Sequence, residues 1–178
     1  EVYATSIRDA SLFDVDQDGE KDFLGADQAG YAGVIYNSSR TLSAETIYHY
    51  QTTGMAADDL DGDGDIDLVM CQGDDGADYN TTSAVYWNTG GSFGSTISYL
   101  PTYACFDVHV LDGNQDGYSD LLFVNRLQGG FSSYNYVTTN QVYYGSATGF
   151  DPNNRSDLTS YGAHQAAAGD LNQDGYPD

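Results

Sequence analysis

Asp59-Leu60-Asp61-Gly62-Asp63-Gly64-Asp65-Ile66-Asp67 runs without a break into Leu68-Val69-Met70-Cys71, and this junction of an acidic loop with an apolar run decides how the chain reads. In a tight loop the side chains at positions 1, 3 and 5 converge on one point. Gly at position 6 takes the sharp turn, position 7 offers its main-chain carbonyl, and the carboxylate at position 9 closes the shell. The apolar run that follows is short, β-branched in part and bounded by turn residues, which is the signature of a strand.

Three further windows share the pattern: Asp14-Val15-Asp16-Gln17-Asp18-Gly19-Glu20-Lys21-Asp22, Asp112-Gly113-Asn114-Gln115-Asp116-Gly117-Tyr118-Ser119-Asp120 and Asp170-Leu171-Asn172-Gln173-Asp174-Gly175-Tyr176-Pro177-Asp178. The four windows, loops 1 to 4 in chain order, begin 45, 53 and 58 residues apart and hold 16 of the 27 acidic residues. The charge excess, −22 over 178 residues, is therefore concentrated in repeated loops, and such loops ask for a counter-ion. A surface this negative repels phosphate backbones and anionic lipid heads, which argues against nucleic acid as a partner. No run approaches the roughly 20 apolar residues of a membrane span, so direct membrane insertion is not expected.

The flanks repeat as well. Each of the first three windows leads into an apolar run, Phe23-Leu24, Leu68-Val69-Met70-Cys71 or Leu121-Leu122-Phe123-Val124. A second run follows (Val34-Ile35-Tyr36, Val85-Tyr86-Trp87, Val142-Tyr143-Tyr144) and ends in Asn or Gly. Short segments precede the windows (Met55-Ala56-Ala57, Val108-His109-Val110, Ala166-Ala167-Ala168), and one more lies between units (Thr46 to Tyr50; Thr96 to Tyr99). Read as strands, these make about four per repeat, the content of a propeller blade. The expected fold is all-β, built of β-propeller blades of about four antiparallel strands. The repeats span residues 1–52, 53–101 and 102–161, with the start of a fourth at 162–178.

An all-oxygen cage suits Ca²⁺, which takes 6 to 8 hard oxygen ligands, whereas Mg²⁺ usually keeps several waters. The candidate ligands are positions 1, 3, 5, 7 and 9 of every loop, from Asp14, Asp16, Asp18, Glu20 and Asp22 to Asp170, Asn172, Asp174, Tyr176 and Asp178. An EF-hand would need Glu at position 12 and flanking helices, but position 12 is Gly25, Met70 or Phe123. Ordinary turn chemistry explains a single Asp/Asn/Gly cluster. Four copies at one spacing, three of them leading into a strand, it does not explain. Asn114 and Asn172 replace carboxylates, so loops 3 and 4 should bind more weakly than loops 1 and 2 if charge count dominates.

These residues resemble the FG-GAP/VCBS repeats of integrin-type β-propellers, over essentially the whole chain. The resemblance implies loops that join the two inner strands of a blade, bind structural Ca²⁺ and share one face of the propeller. It also implies owners among extracellular adhesion, lectin and polysaccharide-degrading proteins. Propellers of the family have about six to eight blades, so three repeats and a fourth loop read as part of a longer chain, with further blades supplied by that chain or by a second copy. Glu1-Val2-Tyr3-Ala4 lacks the basic and apolar parts of a signal peptide.

The remaining residues carry less. His49, His109 and His164 stand singly and read as packing residues, and no GxSxG, P-loop or strand-linked GxGxxG occurs. Cys71 and Cys105 are two buried thiols or a disulfide between neighbouring blades, which an extracellular setting permits. Asn37, Asn80 and Asn154 head glycosylation sequons. Tyr79, Tyr99, Tyr103, Tyr134 and Tyr136 are read as inter-strand residues that cover blade seams or stack on sugars. The expectation is a non-enzymatic, calcium-stabilised adhesion or recognition scaffold at the cell surface or outside the cell, with protein or glycan as partner. A lectin, or the propeller of a polysaccharide-active enzyme, is the alternative.

Overall fold

The computed structural model describes residues 7–27, 31–38, 41–74 and 76–177, so Glu1 to Ala4 and Asp178 lie outside the described residues. The chain is all-β, with no helix among those residues. Twelve strands follow in order: β1 (Ile7–Phe13), β2 (Asp22–Asp27), β3 (Tyr31–Ser38), β4 (Thr41–Tyr48), β5 (Thr52–Asp58), β6 (Asp67–Gln72), β7 (Asn80–Asn88), β8 (Phe93–Tyr103), β9 (Cys105–Leu111), β10 (Asp120–Asn125), β11 (Val137–Tyr143) and β12 (Arg155–Tyr161). They form three four-stranded antiparallel meanders, β1–β4, β5–β8 and β9–β12, each strand paired with its neighbour in sequence. The acidic loops 1, 2 and 3 are the β1–β2, β5–β6 and β9–β10 connections.

The sheets stack in series on two cores. Successive side chains of a strand point to opposite faces, so the unbroken apolar run of β6 serves both. Leu68 and Met70, with Ala84 and Tyr86 of β7, meet Leu24, Ala26, Val34 and Ile47 of the first sheet. Val69 and Cys71, with Val85 and Leu100, meet Val108, Leu121, Phe123 and Tyr143 of the third. A disulfide between Cys71 and Cys105 crosses this second core, and both residues are fully buried. The sequence left thiols and disulfide open, and the structure has the bond.

The first strands of the sheets lie against one another, β1 beside β5 and β5 beside β9. The approach is close enough that a Cβ on Gly54 would stand 2.7 Å from the Phe106 carbonyl oxygen, so only glycine fits there. Among the described residues the three sheets form an open series, not a closed ring.

Three expectations need correction. Ala166 to Ala168 form no strand, because the described chain offers no partner for a ladder there. β4 ends at Tyr48, leaving His49 and Tyr50 in the turn beyond it. Tyr99 and Tyr103 are not inter-strand residues, because β8 runs through them, pairing Tyr99 with Ala84 and Tyr103 with Asn80.

Candidate metal centres

All four loops fold by one hydrogen-bond scheme. The amide N–H at position 6 donates to the position-1 carboxylate: Gly19 to Asp14 at 3.0 Å, Gly64 to Asp59 at 3.0 Å, Gly117 to Asp112 at 3.0 Å and Gly175 to Asp170 at 2.9 Å. The position-7 N–H donates to the position-5 carboxylate, and the position-5 N–H to the side-chain oxygen at position 3. Asp and Asn in turns capture the backbone two residues on, and these successive captures curl the loop around its own side-chain oxygens. Position 6 is glycine throughout, with φ from 89° to 95°, a conformation that costs a residue with a Cβ.

The loops differ in what they gather. In loop 1, ligand oxygens of Asp14, Asp16 and Asp18 lie within 4.8 Å of one another; in loop 2, those of Asp59, Asp61 and Asp67 do so. Asp14 Oδ1 is buried and receives no hydrogen bond. A buried carboxylate oxygen without a proton donor is costly unless a cation takes the role. The donor chemistry, anionic oxygens with no sulfur or imidazole, is that of a hard cation. Loop 1 thus fits Ca²⁺, and loop 2 matches it in composition and spacing. In loop 3 the Asn114 amide donates to Asp116 Oδ2 at 2.9 Å, so one oxygen of the position-5 carboxylate is taken by its neighbour. In loop 4, Asp170, Asn172 and Asp174 repeat the scheme on an exposed loop, and Leu171 at position 2 is 83% exposed where Val15 and Leu60 are buried.

No position-7 side chain belongs to either three-carboxylate cluster. Asp65 points its carboxylate at the Gly90 N–H (2.6 Å) and the Gln17 amide (3.0 Å). Glu20, Tyr118 and Tyr176 are exposed. What this position can lend a cation is its carbonyl oxygen.

Position 9 has a second role. Asp22, Asp67 and Asp120 are almost wholly buried, and each carboxylate accepts two main-chain N–H groups. One donor is position 2 of its own loop (Val15, Leu60, Gly113) and the other lies at the end of the third strand of the sheet (Asn37, Asn88, Gly145), all at 2.8 to 3.0 Å. Gly145 is required at its place because a Cβ there would overlap the Ser119 carbonyl. Burial pushes Asp67 up to about 6, with nearby Asp61 and Asp63 adding to it against the pull of the two N–H donors. Burial raises Asp120 likewise, with Asp116 and Asp112 adding. These latches were not read from the sequence, although their signal is present: the second apolar run of every repeat ends in Asn or Gly.

The histidines pack: His49 against Tyr86, His109 on Asp107 at 2.9 Å and His164 on the Phe106 ring. The Tyr79, Phe131, Tyr134 and Tyr136 rings cluster at the β6–β7 and β10–β11 loops, the sheet ends opposite the acidic loops.

Residues 59–123, from the start of loop 2 to the middle of β10, match the family model described as an FG-GAP-like repeat. The matched segment takes in loops 2 and 3, and the all-β structure agrees with an FG-GAP repeat region. No curated protein matches the chain.

Proposed function

We propose that the acidic loops bind Ca²⁺ and that the chain is a calcium-stabilised portion of a β-propeller, acting outside the cell or at its surface as an adhesion or recognition scaffold. The observation that carries the metal reading is Asp14 Oδ1, buried without a donor inside a three-carboxylate cluster. Asp14, Asp16 and Asp18 would hold the ion in loop 1, and Asp59, Asp61 and Asp67 in loop 2. Bound Ca²⁺ would supply the positive charge that the crowded carboxylates lack. Three meanders with their first strands side by side support the propeller reading, as does the FG-GAP-like repeat. The Cys71–Cys105 disulfide supports an oxidising compartment.

On this reading the chain binds rather than catalyses, because most of its acidic residues, 16 of 27, are committed to the loops. Its partner is an extracellular protein or a glycan, and further sheets from a longer chain or a second copy complete the ring. Equilibrium dialysis against ⁴⁵Ca²⁺ tests the premise: tight uptake that falls when Asp16 or Asp61 is changed to Ala is expected, and no uptake above that of an unrelated acidic protein would end the reading.

One observation favours glycan. A cleft of about 390 Å³ beside loop 2 brings Asp61 and Asp63 together with Trp87, Ser98, Thr96 and Thr148, an aromatic ring among hydroxyls next to a candidate ion. A glycan array read with Ca²⁺ and with chelator tests it, since hits lost in Trp87→Ala support the lectin reading and a blank array refutes it.

A further inference from the structure

Position 4 of the loops carries a feature that metal ligation does not use. Gln17, Gln115 and Gln173 all adopt left-handed backbone, at φ 59°, 57° and 63°. A side chain in that region is strained, and glycine would avoid the strain, as Gly62 does in loop 2 at φ 80°.

The amides reach across to the next loop. Gln17 Nε2 donates to the Gly64 carbonyl and, at 3.0 Å, to Asp65 Oδ1. Gln115 Nε2 donates to the Gly175 carbonyl. The donor sits at position 4 and the acceptor at position 6 in both cases, so loops 1 and 2 are joined, and loops 3 and 4 are joined by the same device. Loop 2 has no side chain at position 4 to send to loop 3.

We propose that Gln17 and Gln115 are positioning residues that couple cation binding within two loop pairs, 1 with 2 and 3 with 4, and that the missing side chain at Gly62 separates the pairs. The proposal rests on the loops being Ca²⁺ sites. Gln17 lies between Asp16 and Asp18, two candidate ligands, so an ion in loop 1 orders the backbone that aims its amide. That amide grips the stretch of loop 2 between Asp63 and the position-7 carbonyl, and it holds the Asp65 carboxylate between loop 1 and Gly90. Ordering one loop therefore removes part of the ordering cost of the next, and by linkage the effect is reciprocal.

Terbium, a luminescent stand-in for Ca²⁺, tests this. Trp87 is the sole tryptophan and shares a cleft with Asp61 and Asp63, so emission sensitised through tryptophan reports on loop 2. Gln17→Gly keeps the turn and relieves its left-handed cost, removing only the bridge. It should raise the half-saturating terbium concentration for loop 2 about fivefold, the low end of site-to-site coupling. Asp16→Ala should weaken the loop 2 signal in the native background and leave it unchanged in Gln17→Gly, which a merely structural role of Gln17 would not produce. Gly62→Gln has open space for its Cβ and should make the loop 2 signal newly sensitive to Asp116→Ala. Terbium bound at loop 2 with an unchanged midpoint in Gln17→Gly, or an equal effect of Asp16→Ala in both backgrounds, would overturn the coupling alone. Absence of the signal from the native chain would overturn the metal reading together with it.

Discussion

His49 should lower stability in mild acid, between its shifted and its ordinary pKa, a window in which Asp67, raised to about 6, acts in the opposite sense. The ring is buried, its Nδ1 meets the Tyr86 hydroxyl at 3.2 Å, and that hydroxyl donates onward to the Tyr48 carbonyl. The Tyr86 proton is thus committed, so Nδ1 carries the His49 proton and donates. Nε2 is buried with no partner. A second proton would create a buried cation with an unmet donor, and burial accordingly lowers the histidine to about 4 from 6.5. Between those values the unfolded chain binds the proton and the folded one does not, so stability falls as pH falls. At about 1.4 kcal/mol per pKa unit, the loss from about pH 7 to about pH 4.5 is about 2 kcal/mol. Urea unfolding at both pH values, run on the native chain and on His49→Phe, isolates it because the carboxylate contributions are common to both. The native chain should lose about 2 kcal/mol more than the variant. Equal losses would refute the assignment of a neutral, half-satisfied ring.

With Ca²⁺ at a hundredfold excess over Kd, each filled site adds about 2.7 kcal/mol. The two three-carboxylate loops together should raise the melting temperature over the chelated protein by roughly 10 to 20 °C, and scanning calorimetry with no shift would count against both sites. Reducing the Cys71–Cys105 bond, which closes a separation of 34 residues, should cost about 4 kcal/mol by loop entropy, read as a lower denaturant midpoint of Cys71→Ala/Cys105→Ala. Gly145→Ala should cost about 1 to 3 kcal/mol by pushing the strand end off Ser119 and opening the Asp120 latch, with amide exchange rising at Gly145 and Gly113.

The acidic loops and the all-β class were legible from residues 1 to 178 alone because their information is local. Nine residues contain the whole turn chemistry of a loop, and a strand shows itself by apolar runs bounded by Gly, Asn and Asp. The run Leu68 to Cys71 even carries the mark of a strand with both faces covered, since no polar residue interrupts it. What the sequence alone left open depends on atoms that the chain brings together from afar. Whether Cys71 and Cys105 bond depends on how the second and third sheets stack. Asp67 is as much a latch on Asn88 as a candidate ligand, which rests on a contact 21 residues away. Asp65 turns from the ligand set because Gln17, 48 residues earlier, and Gly90 capture it. A carboxylate has the same letter whether it faces an ion, a buried N–H or a neighbouring amide. Only the pairing of strands within a sheet and the packing of one sheet on the next set which of these lies within 3 Å, and the hydrogen bond falls off too steeply with distance and angle for composition or spacing to decide it.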